Sequence, residues 1–335
     1  PTGLVPSGIL ITEACRGEGG FLLNSRGERF MEKYAPQKME LAPRDLISRS
    51  EMIEIEQGRG CQGPNGLDYV YLDLTHLGAD RINERLPLIR EVCMEFNDLE
   101  PITDPIPIRP VAHYSMGGVE TDINGATAVK GIWAAGEAAC VSLHGANRLG
   151  SNSTGECLVW GKIAGAEAAR YCQSVDALPA VPERLVEQEY NKVFGELLDR
   201  KGSENLYDIR RDLRSTMDQY VGVFRTGAGL EKALAAIRGL KQRYAHITIA
   251  DKSHAYNTNL IHALEVANLL DLAEVMISGA LARCESRGGH ARRDYPQRDD
   301  ENWHKHTLAW HTDQGPRLDY KPVTLTTWKP EERKY

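Results

Sequence analysis

The chain has 335 residues, 41% of them hydrophobic and 26% charged, which is enough for two or three domains with real cores. Its net charge of −7 argues against a nucleic-acid partner, and no apolar run reaches the length of a membrane span. Seven cysteines, at 15, 61, 93, 140, 157, 172 and 284, include no CxxC pair; they suit a reducing compartment and offer no metal framework. The first residue is Pro rather than Met and no signal peptide is visible, so a chain that starts inside a longer polypeptide is expected.

Ile9 to Thr12 reads as a strand, and Phe21–Asn24 with Arg29–Phe30 as a hairpin about a Ser25-Arg26-Gly27 turn. Between them Thr12, Glu13, Arg16 and Glu18 gather charge around Gly17, Gly19 and Gly20, with Cys15 among them. Taken alone, such a loop reads first as a solvated one with surface ion pairs. A helix is expected from Arg44, after Pro43, to about Gln57, with Asp45 in the first turn where negative charge is favoured.

Glycines 58, 60, 63 and 66 precede an alternating strand at Asp68–Leu74. An amphipathic helix at about Ala79–Glu95 follows, and His76 reads as a structural or surface histidine. Asp104–Pro110, DPIPIRP, reads as an extended connector, since its three prolines forbid a helix.

From His113 to Ser153 the polar and small residues change character. His113-Tyr114 leads into Met116-Gly117-Gly118, where paired glycines let backbone approach a flat ring. Gly131–Ala135 reads as a short buried strand ending in Gly136-Glu137, with Glu137 placed to bond hydroxyls. His144 to Arg148, HGANR, then meets a small-residue turn, Leu149 to Ser153. That turn opens a small, apolar helix from Glu156 to Arg170 whose first N–H groups are free for a ligand. Arg148 and His113 are donors suited to carboxylates. The blind reading is a cofactor edge beside an anion site.

Residues 173–180 read as a linker. Helices are expected at about Glu183–Asp199, Leu206–Gln219, Leu230–Tyr244 and Asn259–Arg283, as a bundle. In the last of these, Leu260, Leu264, Ala267, Leu270, Leu272, Val275, Met276, Ala280 and Leu281 suggest one buried face. The Arg/Asp/His density from Cys284 to Trp310 reads either as a metal cluster or as a polar docking surface. His290, His304, His306 and His311 do not have zinc spacing. Val323–Trp328 alternates like a closing strand.

HYSMGG, AAGE and HGANRLGSNS, in that order, resemble the flavoprotein subunit of succinate dehydrogenase and fumarate reductase. TExxRGEGG, the PRD element at Pro43–Asp45 and the SRGGHARRDYPQRDD tail extend the resemblance over essentially the whole chain. It implies α/β and α+β multidomain architecture. A capping domain would span 1–107, with 1–8 the tail of a Rossmann-like FAD-binding domain. That domain would resume at 108–172, followed by a helical domain at 181–284 and a C-terminal domain at 285–335. What is missing from the family pattern is its amino-terminal half, with the GxGxxG cradle after a strand and the histidine that links FAD covalently.

The resemblance also assigns roles. Arg44 matches the arginine that delivers or removes a proton, with Glu13 and Arg16 as its relay to solvent. Thr12, His113 and Arg148 match the carboxylate-binding positions; a further histidine of the family would lie just before Pro1. FAD contacts fall on Gly117, Gly118, Gly136, Glu137, Asn152, Ser153 and Thr154, and no metal is implied. An arginine, whose free pKa exceeds about 12, can act as an acid only where its surroundings lower that value, and the cations Arg16 and Arg148 are expected to push that way. The implied reaction interconverts succinate and fumarate, passing electrons to an iron–sulfur subunit and, through membrane anchors, to quinone. The implied location is peripheral, on the cytoplasmic face of an inner membrane or the matrix face in a mitochondrion. Two rivals share features: L-aspartate oxidase, with similar motifs, and a non-catalytic fragment that only docks on an iron–sulfur subunit.

Overall fold

In the computed structural model, which describes residues 2–177, 180–328, 330 and 331, the chain divides into two compact units. The first comprises residues 1–118, 147–150 and 326–335.

Its centre is a five-stranded antiparallel sheet in the order β2-β1-β5-β4-β3, from β1 Thr2–Leu4, β2 Leu10–Ile11, β3 Phe21–Leu23, β4 Val70–Asp73 and β5 Ile106–Pro110. Alternate residues point into one core: Leu22, Val70, Leu72, Ile106 and Ile108 are all at most 1% exposed. Each such side chain contributes about 1.5–3 kcal/mol through burial. The hairpin about Ser25-Arg26-Gly27 forms as expected, closed by a bridge between Leu23 and Arg29.

Two expectations fail here for reasons that proline supplies. The Asp104–Pro110 connector is a central strand, pairing Ile108 with both Leu4 and Val70. Its prolines forbid a helix but not a strand; where Pro107 has no donor, its carbonyl accepts from the Val5 N–H at 3.0 Å. The single helix at Ala79–Glu95 is two, α4 Gly78–Arg85 and α5 Pro87–Asn97, broken where Leu86 leaves helical geometry ahead of Pro87. Before them come α1 Ala14–Gly17, α2 Met31–Tyr34 and α3 Arg44–Glu54; α3 runs on into a wider turn at Ile55–Arg59.

The second unit comprises residues 119–146 and 151–325. Here β6 Val119–Glu120 pairs with β7 Ala139–Cys140 in parallel, and α6 Asn152–Ser174 follows. The expected buried strand at Gly131–Ala135 is absent: Trp133 makes one bridge, to Ala126, and Ile132 is 53% exposed. Its backbone bonds go to Gly125 and Thr127 and, within a tight turn, to Val129, which is too little to extend a strand. α6 also begins earlier than expected and buries only Glu156 and Ala164.

The helices expected after residue 181 are present. They are α7 Glu183–Tyr190, α8 Leu206–Val221, α9 Gly227–Tyr244 and α10 Thr258–Ala282, with a short parallel pair, β8 Glu204–Asn205 and β9 Ile247–Thr248. Leu260, Leu270 and Ala280 face inward as expected, but the rest of that face is Ala263, Val266, Ala273 and Ile277, while Leu264, Leu272 and Met276 are exposed. α10 is apolar nearly all round, so periodicity alone could not choose its face. After α11 Asp300–Trp303 the closing pair is β10 Lys305–Trp310 with β11 Arg317–Pro322. Val323–Trp328 is irregular rather than the expected strand.

One ionic pin in the first unit is a test of its acid stability. Glu54, 1% exposed, accepts both Arg59 bonds at 2.6 Å, with further bonds from Tyr34 Oη at 2.6 Å and Asn24 Nδ2 at 3.1 Å. Burial alone would raise its pKa, but these donors outweigh burial and hold it down at about 2, against 4.5 for a free glutamate. A depressed carboxylate stabilises fully above the unfolded value and loses that stabilisation as pH falls from about 4.5 to 2. Glu54→Gln should therefore lower stability at neutral pH by about 3 kcal/mol and flatten the acid limb of urea midpoint against pH.

Candidate functional site

The first unit gathers its polar residues at the end of β2. Leaving β2, the chain passes Thr12, whose Oγ1 accepts from the Ala14 N–H at 3.3 Å and starts α1. α1 is one turn, so Glu13 just before it and Arg16 within it lie on adjacent surfaces. A second element, the N-terminus of α3, brings Arg44. Its guanidinium grips Glu13 with two bonds of 2.5 Å, from Nε and Nη2, in the planar fork that favours carboxylates. Arg16 Nη2 lies 3.7 Å from the same carboxylate.

Thr12, Glu13, Arg16, Arg44 and His113, with Thr2, Leu10 and Ile11, line one cavity of about 50 Å³. Arg148 is in this unit too. It is 7% exposed, its guanidinium lies 4.6 Å from the Tyr114 ring, and its Nη1 donates to the Leu149 carbonyl at 3.1 Å. Its Nε is buried without a hydrogen-bond partner among the described residues, a donor suited to an anion. Gly150 brings that segment against the clamp: a Cβ there would stand 3.1 Å from Glu13 Oε1 and 3.2 Å from Arg44 Nη2.

The electrostatics separate the two arginines. The Glu13 bond raises the pKa of Arg44 and, reciprocally, Arg44 holds Glu13 low. The expectation that nearby cations lower Arg44 is thus corrected, because Glu13 sits closer than any of them. Arg16 goes the other way: buried, and bonded to the Glu40 carbonyl, it has its pKa lowered chiefly by desolvation. Cys15, inside this loop, is buried with its thiol pushed up to about 12 by desolvation, a value that keeps it unreactive.

The rest of the glycine loop is pinned. Glu18 pairs with Arg81 at 2.8 Å and Arg85 at 3.1 Å on α4. His76 is structural as expected, stacked on Phe21 at 4.0 Å and donating from Nε2 to the Gly19 carbonyl at 2.9 Å. Gly117 and Gly118 adopt φ of 109° and 138°, which only glycine accepts readily, and space is open beside Gly117. These features fit close approach by a flat ring.

In the second unit, Gly136 (φ 73°) packs on Cys157 and opens a single turn that carries the exposed Glu137. Asn152, Ser153 and Thr154 are in the first turn of α6 rather than ahead of it. Ser151 precedes them at φ 64° and supplies no side-chain cap; its carbonyl accepts from the Thr154 N–H at 3.2 Å, which leaves the Asn152 and Ser153 N–H groups to suit an acceptor such as a phosphate. The arginine-rich tail serves the end of α10. Arg292 donates to the Ala280 and Leu281 carbonyls, and the fully buried Glu285 pairs with Arg283 and Arg287 at 2.7 and 2.8 Å. Among the described residues no group of three or more His, Cys, Asp or Glu could hold a metal ion, and no helix is long and apolar enough to cross a membrane.

Reading the sequence missed three participants. Tyr114 under Arg148 was noted only as half of a His–Tyr pair. Glu40, 3% exposed, anchors Arg29 at 2.6 Å and has no motif to announce it. Glu51, fully buried on α3, could have been found from the spacing 47, 50, 51, 54, which puts two glutamates on an inward face. Gly58, Gly60 and Gly63 do have GxGxxG spacing, but they follow α3 rather than a strand, and a Cβ on Gly63 would strike the Leu67 carbonyl at 1.9 Å. Those glycines serve chain packing.

A family model described as "FAD binding domain" matches residues 1–154, and one described as "Fumarate reductase flavoprotein C-term" matches 210–335. The fumarate reductase flavoprotein subunit of Mycobacterium tuberculosis (strain H37Rv) is 45% identical over 350 residues, covering 100% of this chain and 60% of its own. The succinate dehydrogenase flavoprotein subunit of Rickettsia conorii is 43% identical over 342 residues, covering 99% and 57%. An E. coli quinol fumarate reductase FrdA structure superposes with a TM-score of 0.93 at 40% identity, covering 99% of this chain and 59% of that one. The chain thus spans about three fifths of the length of the curated relatives it matches, 57–60%. With identity above 40% along its whole length, the chain belongs to the fumarate reductase/succinate dehydrogenase flavoprotein family.

Proposed function

We propose that this chain supplies the substrate pocket of an FAD-dependent flavoprotein that interconverts succinate and fumarate. The carrying observation is the convergence of Thr12, Glu13, Arg16, Arg44 and His113 on one small cavity, with Arg148 in the same unit. A dicarboxylate needs its two charges held and one proton exchanged. Arg148, with a buried unpartnered donor, His113 and Thr12 hold carboxylates; Arg44 exchanges the proton, and Glu13 and Arg16 connect it to solvent. Bound FAD would accept or give the hydride at N5. Gly117, Gly118, Gly136, Glu137, Asn152, Ser153 and Thr154 are the residues whose open backbone and polar groups suit holding it, with a covalent histidine link outside this chain.

Arg44 can act only after its clamp on Glu13 loosens, since that bond raises its pKa. A bound dicarboxylate offers the competing anion. The domain division follows the same reading, with capping residues 1–107, FAD-binding residues 108–172, a helical domain at 181–284 and a C-terminal domain at 285–335. Electrons would pass to an iron–sulfur subunit and on to quinone through membrane anchors, with the chain peripheral on the membrane's cytoplasmic or matrix face. The names of the relatives favour this over amino-acid oxidation.

Three outcomes test it. In the full flavoprotein, Arg44→Ala should lower kcat for dye-driven fumarate reduction by about 10²–10⁴-fold, and Arg44→Lys should recover part of that loss. Substantial turnover in Arg44→Ala, with no advantage for Arg44→Lys, would remove Arg44 from the reaction. Gly150→Ala crowds the tips of Glu13 and Arg44, so kcat/KM should fall about tenfold while the unfolding midpoint barely moves. Residues 1–335 expressed alone, with no GxGxxG after a strand, should lose flavin absorbance on desalting; retained flavin would relocate the cofactor determinants.

A further inference from the structure

Within the second unit, one turn of α6 receives both ends of the stretch between Gly136 and His144. Gly136 packs on Cys157; a Cβ there would stand 3.0 Å from its Sγ. At the other end, His144 reaches the neighbouring Glu156, its Nε2 donating to Oε2 at 2.6 Å. A carboxylate only accepts, so the hydrogen of that bond belongs to the imidazole. The two side chains are 8% and 2% exposed. A charge-assisted bond in so dry a place is short, directional and costly to lose, because water does not replace a donor taken from a buried carboxylate.

The stretch between these fastenings carries β7, and Glu137 follows Gly136 directly. Its far end is braced by the tail of the chain. Ser142, at φ 70°, lies with its Oγ 2.8 Å from Nε2 of His306 on β10, and the Ala146 carbonyl accepts from the Gly289 N–H at 2.8 Å. On α6, Asn152 and Ser153 stand four residues before Glu156 and Cys157, and residues four apart share a helix face. Both fastenings therefore lie one turn below the first-turn N–H groups of Asn152 and Ser153, and they tie those groups to the turn that carries Glu137.

We propose that His144 is a positioning residue for the cofactor: through Glu156 it sets the spacing between the Glu137 turn and the start of α6, so that one FAD can meet both. The inference rests on the proposed function, in which Glu137, Asn152 and Ser153 hold FAD, and adds to it a residue that need not touch the cofactor. The packing of Gly136 on Cys157 cannot set that spacing alone, because dispersion contact has no preferred direction, whereas an imidazole–carboxylate bond fixes distance and angle together. His144 transfers neither proton nor electron in this role; it acts by holding Glu156. A tie that served the fold alone would change stability and leave the surroundings of the flavin as they were.

The test uses the full flavoprotein with FAD bound. His144→Ala should speed amide hydrogen exchange across residues 136–157 by about tenfold or more, while α8 and α9 keep their rates. It should also change the visible circular dichroism of the flavin, which reports how the protein holds the ring. His144→Gln, whose amide N–H can take the place of the ring Nε2–H, should restore both readouts. Unchanged exchange in His144→Ala overturns the proposal. So does faster exchange with unchanged dichroism, and so does His144→Gln behaving like His144→Ala. Should His144→Ala not fold, Glu156→Gln keeps the shape and removes the charge from the bond. It should shift both readouts in the same direction by a smaller amount, and no shift in either overturns the proposal. Altered dichroism and restored rates as expected, in a flavoprotein that does not reduce fumarate, would support the positioning and count against the proposed function alone.

Discussion

The candidate site depends on one ion pair, the two-pronged grip of Arg44 on Glu13. The two residues are 31 positions apart, and each comes from the tip of a helix that contributes little stability of its own: α1 is a single turn, and Arg44 is the first residue of α3. The sheet beneath gives these tips fixed places. Leu4, Leu22, Leu72, Ile106 and Ile108 are closed to solvent, so the loop from Thr12 to Gly20 starts and ends on rigid backbone. The ties from Glu18 to α4 and from His76 to the Gly19 carbonyl fix the far side of that loop. Charge is thereby concentrated at its near side, where Arg44 holds the exposed Glu13 in place.

Much of this was legible in the sequence, and the limits have identifiable causes. The hairpin about Gly27, the strand at Val70–Asp73, the helices of the second unit and the polar loop after Thr12 carry local signals: turn residues, period-two alternation, period-3.6 amphipathicity. Ile106–Pro110 was misread because proline is a strong statement about helices and a weak one about strands in which the missing donors are tolerated. The face of α10 was misread because a helix apolar nearly all round leaves the choice to packing partners, and those are α8 and α9, far away in sequence. Gly131–Ala135 was misread because apolar composition speaks of burial only where a covering layer exists.

The charged residues of the site show a similar division. Motif resemblance could name Thr12, Glu13, Arg16, Arg44, His113 and Arg148, since each sits in a recognisable string. It could not supply the sign of the perturbation on each. Arg44 and Arg16 are both arginines beside Glu13, yet one is raised by a short bidentate bond and the other lowered by burial. That difference is set by hydrogen-bond geometry and solvent access, neither of which is written in residue type. Glu51 is the extreme case, an acid placed on a buried helical face with no motif around it.

The opposite signs of the two arginines imply an order of events. A guanidinium locked to a carboxylate is a poor acid, and a buried one that makes its closest bond to a carbonyl is a better one. As the structure stands, the proton is therefore held most firmly at Arg44, the residue nearest the proposed chemistry, and less firmly at Arg16 behind it. For a proton to move forward, the Glu13 clamp must open, and an anion entering the cavity is the natural competitor for Arg44. Under the proposed function, entry of a dicarboxylate and opening of the Glu13 clamp would be a single event. A small cavity of about 50 Å³ is consistent with this order, since the clamp occupies part of the room a diacid would take.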